Sequence, residues 1–114
     1  MDIDFIKWLC DKAEGFGFDD SIITLPNGNM ELLDYLSVNW NTINYPLLLQ
    51  RAIESFNLHN KLDWFIHINP LIMCWEVDIQ DDSGASIFLD DYNEEDIDKA
   101  KESALLYIYE QEKK

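Results

Sequence analysis

Near Asp63 the spacing of apolar residues changes, and that change limits the folds open to this chain. Before it, Leu48, Leu49, Ala52, Ile53 and Phe56 recur three and four residues apart, the stripe of a helix with one buried face that begins near Pro46. After it, Trp64 to Ile68 and Ile72 to Ile79 are rich in β-branched and aromatic residues and read as strands interrupted at Asn69-Pro70. Asp81-Asp82-Ser83-Gly84 is a suitable hairpin connection, and Ser86-Ile87-Phe88-Leu89 is the returning strand. The helical period returns with Ile97, Ala100, Ala104, Leu105 and Ile108. Acids at Glu94, Glu95 and Asp96 and lysines at Lys113 and Lys114 stand at the ends that suit its dipole.

The first half is read on the same terms. Asp2 or Asp4 caps a helix carrying Phe5, Ile6, Leu9 and Ala13, with Trp8 near that face, and Gly15 and Gly17 end it. Ser21 to Leu25 is a short strand closed by Pro26-Asn27-Gly28. Asn29 caps an expected second helix from Met30 to about Val38, with Leu32, Leu33 and Leu36 apolar, and residues 39–44 form a connection. The expected order is α-β-α-α-β-β-β-α. That makes an α+β domain in which about four helices pack on a small, largely antiparallel sheet of three to four strands. At 114 residues the chain has material for one core, so residues 1–114 are expected to form a single domain.

Composition narrows function by exclusion. The longest apolar run, Pro70 to Trp75, is far short of the roughly 18 residues of a membrane span. The start, Met1-Asp2-Ile3-Asp4, is acidic where a signal peptide is basic, so a cytoplasmic protein is expected. Cys10 and Cys74 form no CxxC pair and are expected as two buried thiols. Gly15-Phe16-Gly17 lacks the third glycine of a dinucleotide fingerprint and follows a helix instead of a strand. His59 and His67 stand alone, without metal-ligand spacing. Counting Gly84 as the glycine of a calcium loop puts Ile79 where an aspartate is required. No cofactor is therefore expected.

Charge speaks more strongly than any motif. Eight Lys and Arg stand against 23 Asp and Glu, for a net charge of −15. Between Lys61 and Lys99 there is no Lys or Arg, yet the interval holds eleven acids: Asp63, Glu76, Asp78, Asp81, Asp82, Asp90, Asp91, Glu94, Glu95, Asp96 and Asp98. Such an excess disfavours direct binding to nucleic acid or to anionic membranes. It favours a basic protein surface, including that of a nucleic-acid-binding protein. The expected acidic docking face comprises Asp81, Asp82, Asp90, Asp91, Glu94, Glu95 and Asp98. A solvated face that serves solubility is the plainer reading of the same acids. Trp40, in an Asn-rich connection with Tyr45 nearby, is the expected partly exposed aromatic anchor.

The C-terminal part, from the hairpin strands through Ala100-Lys101-Glu102-Ser103-Ala104-Leu105-Leu106-Tyr107-Ile108-Tyr109-Glu110, resembles small proteins encoded by phages and prophages. It looks like the strand–strand–helix ending of the phage αβα-sandwich type; the α-rich first half departs from that pattern. The resemblance implies a phage or mobile-element context, in which small acidic proteins inhibit host or defence machinery, and carries over no site residue. The reading favoured by the sequence is thus a non-enzymatic acidic binding module, a phage inhibitor or nucleic-acid mimic. Two others stand beside it: a small divalent-metal enzyme using the Asp81 to Asp96 carboxylates, and a structural or self-associating module, for which a homodimer is compatible.

Overall fold

A computed structural model describes residues 2–59, 65–81, 83–93 and 95–113. The elements are α1 (Ile3–Lys12), β1 (Gly17–Asp19), β2 (Ile22–Thr24), β3 (Met30–Leu32), α2 (Tyr45–His59), β4 (Phe65–Leu71), β5 (Cys74–Gln80), β6 (Ser86–Asn93) and α3 (Ile97–Glu112). The class is α+β, with three α-helices and two three-stranded antiparallel sheets among the described residues.

Asp2 caps α1 by accepting the Asp4 and Phe5 backbone N–H groups at 3.0 and 3.2 Å. The helix then buries Phe5, Ile6, Leu9 and Cys10.

The expected second helix, Met30 to Val38, does not form; its first residues are β3, paired antiparallel with β2. Local turn chemistry overrides the helical spacing of Leu32, Leu33 and Leu36. Gly28 takes φ +90° beside Asn27, and Leu25 N–H bonds the Asn29 carbonyl at 2.8 Å, so the chain reverses before a helix can start. A second reversal adds β1, which the sequence reading missed. Asp20 and Ser21 both have positive φ, 46° and 68°, and join Asp19 to its partner Ile22 in a two-residue hairpin loop.

The expected connection at 39–44 contains a wide helical turn, Trp40–Asn44. Its i→i+5 bonds include Asn44 N–H to Asn39 O at 3.0 Å, and it runs directly into α2. Pro46 is the second residue of α2, as the sequence placed it in the first turn.

The larger sheet has the order β4-β5-β6. β4 runs through Asn69 and Pro70 to Leu71, where an interruption was expected. As an edge strand it tolerates a proline that donates to no ladder bond. Its open edge is partly met by α2. Asn57 donates to the Ile66 carbonyl and accepts the Ile66 N–H, each at 2.8 Å. The reversal to β5 comes at Ile72-Met73, where Met73 adopts φ 64°. Ile66, Val77 and Ile79 turn one face of this sheet inward against α2 and α3. They join Leu9, Leu48, Leu49, Ala52, Ala104, Leu105 and Ile108 in one contiguous core. The other face carries His67, Glu76, Asp78, Leu89 and Asp91.

Candidate binding surface

Strand alternation divides the acidic interval. The β5–β6 ladder is regular from Cys74–Asn93 to Ile79–Phe88, so neighbouring acids along that stretch point to opposite faces. Asp91 pairs with Glu76 on the open face, whereas Asp90 pairs with Val77 and shares its parity with Tyr92, whose hydroxyl donates to it at 3.2 Å. The two strands thus place like charges directly opposite one another at Glu76 and Asp91, an arrangement that destabilises a ladder. Asn69 Nδ2 reaches Glu76 Oε1 at 3.4 Å and is the nearest relief.

Asp78 stands two residues along on the same face, between its cross-strand neighbours His67 and Leu89. It is only 9% exposed and accepts from Ser86 Oγ at 2.7 Å and Gln80 Nε2 at 2.8 Å, which satisfies the buried carboxylate.

Asp81 is committed to the hairpin. It accepts from Ser83 Oγ at 2.6 Å, Ser83 N–H at 2.9 Å and Ala85 N–H at 3.1 Å. The Ser83 hydroxyl, followed by the turn amides, holds its carboxyl below the usual value. Glu95 and Asp98 are exposed, Asp98 in the first turn of α3. Asp82 and Glu94, like Asp63 and Trp64, lie outside the described residues.

Within the interval, Asp96 to Lys99 at 4.0 Å is the one ion pair among the described residues, and such an exposed pair contributes little. Among the described residues no three or more His, Cys, Asp or Glu side chains converge as a metal-binding group.

Trp40 is not the exposed anchor expected of it: it is 1% exposed. The wide turn that precedes α2 tucks the indole into the core instead of leaving it in a free loop. There it packs on Tyr45 with ring centroids 5.8 Å apart. Tyr45 is half-buried and donates to Glu102 Oε2 of α3 at 2.6 Å. Burial first, then that bond and the negative charge of Glu102, push the Tyr45 hydroxyl up from its usual pKa. Both residues line a cleft of about 570 Å³ bordered by Phe5, Asp2, Glu102 and Glu110. Sequence reasoning missed Glu102 and Glu110. Their spacing with Leu106, four residues apart along α3, was the available signal.

The reading also missed the exposed apolar tip of the β4–β5 hairpin. Ile72 is 93% and Met73 79% exposed, at the end of the face that carries Glu76 and Asp91. Cys10 is buried and its thiol is pushed up to about 12 by desolvation; Cys74 is only half-buried, against the expectation of two buried thiols.

Among the described residues no helix is long and apolar enough to cross a membrane. Comparison with protein-family models, curated proteins and solved structures finds no match.

Proposed function

We propose that this chain is a non-enzymatic binding module whose open sheet face docks on a basic protein surface. The observation that carries the reading is the Glu76–Asp91 pair. Two carboxylates held opposite each other, with no basic partner among the described residues, cost stability in the free protein and are relieved by a cationic surface. The exposed Ile72 and Met73 at one end of that face supply the apolar contact that the sequence reading sought in Trp40. Partners of this chemistry include proteins whose basic grooves hold nucleic acid, and the phage-type resemblance of the C-terminal part makes inhibition of such a protein the favoured role. The setting is cytosolic. Asp81 caps its own turn, which leaves the carboxylate-enzyme reading weaker than the binding one.

The test is capture from lysate at low and high salt, followed by kinetics with the captured protein. Glu76→Gln with Asp91→Asn is expected to slow association, and Ile72→Ser with Met73→Ser to speed dissociation. A partner bound equally well at all salt concentrations and by both double variants sinks the reading. Self-association is the second reading, favoured by the exposed Met30, Leu32, Tyr35 and Val38 around the small sheet. Sedimentation across a range of protein concentrations separates it, because a monomer throughout is incompatible with it.

A further inference from the structure

The two edges of the larger sheet are treated differently. On the β4 side, Asn57 meets both backbone groups of Ile66 at 2.8 Å. On the other side, β6 pairs with β5 and with no further strand among the described residues. Register shows which β6 groups are open. Leu71 and Cys74 close the turn at Ile72-Met73 and bond each other, and bonding direction alternates along β5 from there. Cys74, Glu76 and Asp78 therefore bond to β4, and Trp75, Val77 and Ile79 to β6. Asp91 and Leu89, opposite Glu76 and Asp78, point their N–H and C=O groups away from the sheet. Two bonds agree with that direction: the Asp91 N–H turns to Asp90 Oδ1, and the Asn93 carbonyl accepts the Asp96 N–H, each at 2.9 Å.

We propose that the Leu89–Asp91 stretch of this edge accepts a strand from a basic partner protein, in which two adjacent basic residues follow or precede an apolar one. The inference extends the acidic docking surface proposed above, with which it shares Asp91, from a face to an edge. The open Leu89 N–H and carbonyl and the Asp91 carbonyl are the groups that an added strand pairs with, and the Asp91 N–H joins them by leaving Asp90. The side chains then select the occupant. Leu89 is 62% exposed and asks for an apolar residue opposite it. Asp90 and Asp91 are both exposed, lie on opposite faces and have no ion pair among the described residues. Each is met by a basic residue directly across the new ladder, so the two basic residues are consecutive, one for each face.

A second copy of this chain is a poor occupant. Outward-pointing residues pair with outward-pointing residues, so two β6 edges have two antiparallel registers of fullest overlap. One sets Asp90 against Asp90, and the other leaves it two residues from its counterpart, between chains that each carry −15. The acids that keep copies apart at this edge are the ones that select a basic strand.

The experiment is an NMR titration of the full chain at low salt with the capped peptide Thr-Lys-Lys-Val-Thr-Val, following the Leu89 and Asp91 amides. Paired antiparallel, its first valine stands opposite Leu89 and its lysines opposite Asp90 and Asp91. A saturable shift is expected, with slowed hydrogen exchange at the Leu89 N–H. N-methylation of that valine removes the donor to the Leu89 carbonyl and is expected to abolish binding. N-methylation of the lysine opposite Asp90, whose N–H points away from β6, is expected to leave binding intact. Asp90→Asn and Asp91→Asn are each expected to weaken it about two- to fivefold, the range of a cross-strand charge pair. Leu89→Pro removes the edge donor at a position where an edge strand tolerates proline, and is expected to abolish binding; the methylated peptides make the same test without touching the fold. Two methylated peptides that bind alike overturn the strand pairing, and Glu76→Gln then weakening both shows that the docking face stands without the edge. Loss with the methylated valine alone, and no effect of Glu76→Gln, supports the edge and removes the face. A peptide with glutamates for lysines that binds as tightly overturns the basic partner, and a dimer of the free chain lost on Leu89→Pro gives the edge to a second copy and overturns it as well.

Discussion

Removing either carboxylate of the Glu76–Asp91 pair is expected to stabilise the free protein while weakening its complex. The two residues are direct partners across β5 and β6, so their Cβ atoms stand about 4.5–5.5 Å apart and the like charges cost about 0.2–1 kcal/mol. Glu76→Gln keeps a carbonyl oxygen for the Asn69 amide, and Asp91→Asn is isosteric, so charge is the main thing changed. An unfolding entropy of about 2.1 cal/mol/K per residue over 114 residues gives about 0.24 kcal/mol/K. A relief of about 0.5 kcal/mol, mid-range for such a pair, therefore raises Tm by about 2 °C. The double variant is expected to gain little more than either single one, because one substitution already abolishes the pair term. Thermal unfolding followed by circular dichroism measures this, first at low salt and then near 1 M, where screening acts over about 3 Å and the gain should shrink. Gains in the two single variants that simply add, or that persist at high salt, refute the reasoning. A loss of stability refutes it outright. Stability gained with binding lost is the signature of a charge pair retained for function.

Trp40→Ala is expected to cost about 3–5 kcal/mol in urea unfolding, as for any large buried ring; Trp40→Phe costs less, since it keeps a ring in the space while removing the orphan N–H. A loss below about 1 kcal/mol would take the ring out of the core. Cys74 is expected to react with a thiol reagent in the native protein well before Cys10, whose buried thiol, pushed up to about 12, reacts only on unfolding; equal native rates contradict this. Asp81 has a folded pKa below its ordinary value of 3.8. Its stabilisation of the hairpin is therefore complete above that value and lost as pH falls through the lower folded pKa. Asp81→Asn should flatten the acid limb of stability, and an Asp81 carboxyl that titrates at or above 3.8 rules this out.

Much of this architecture was legible in one dimension because it rests on local periodicity. α1, α2 and α3 follow three stripes whose apolar residues are buried as the spacing required, except Ile97, which is only partly covered, and β5 and β6 follow runs bounded by the Asp81–Gly84 turn. Where the reading failed, pairing decided. Leu32, Leu33 and Leu36 have helical spacing, but the Asn27-Gly28 reversal offers Met30–Leu32 a strand partner in Ile22–Thr24, and ladder bonds outweigh a weak propensity. Pro70 reads as a break until it is known to lie on an edge.

The site shows the same division. Sequence alone determined that the residues between Lys61 and Lys99 carry acids without basic counter-charge, because charge is a sum that needs no fold. Which acids meet is a matter of register. Strand alternation sends Asp90 and Asp91 to opposite faces, sets Asp91 against Glu76 from another strand, buries Asp78 and spends Asp81 on a turn. Trp40 was legible as an aromatic in a polar segment, but only the packing of that segment against the core determined that its ring is shut in. Glu102 came to face Tyr45, 57 residues away in the chain, because α2 and α3 lie side by side. A contact of that separation leaves no trace in local spacing, since it exists only once the core has brought the two helices together.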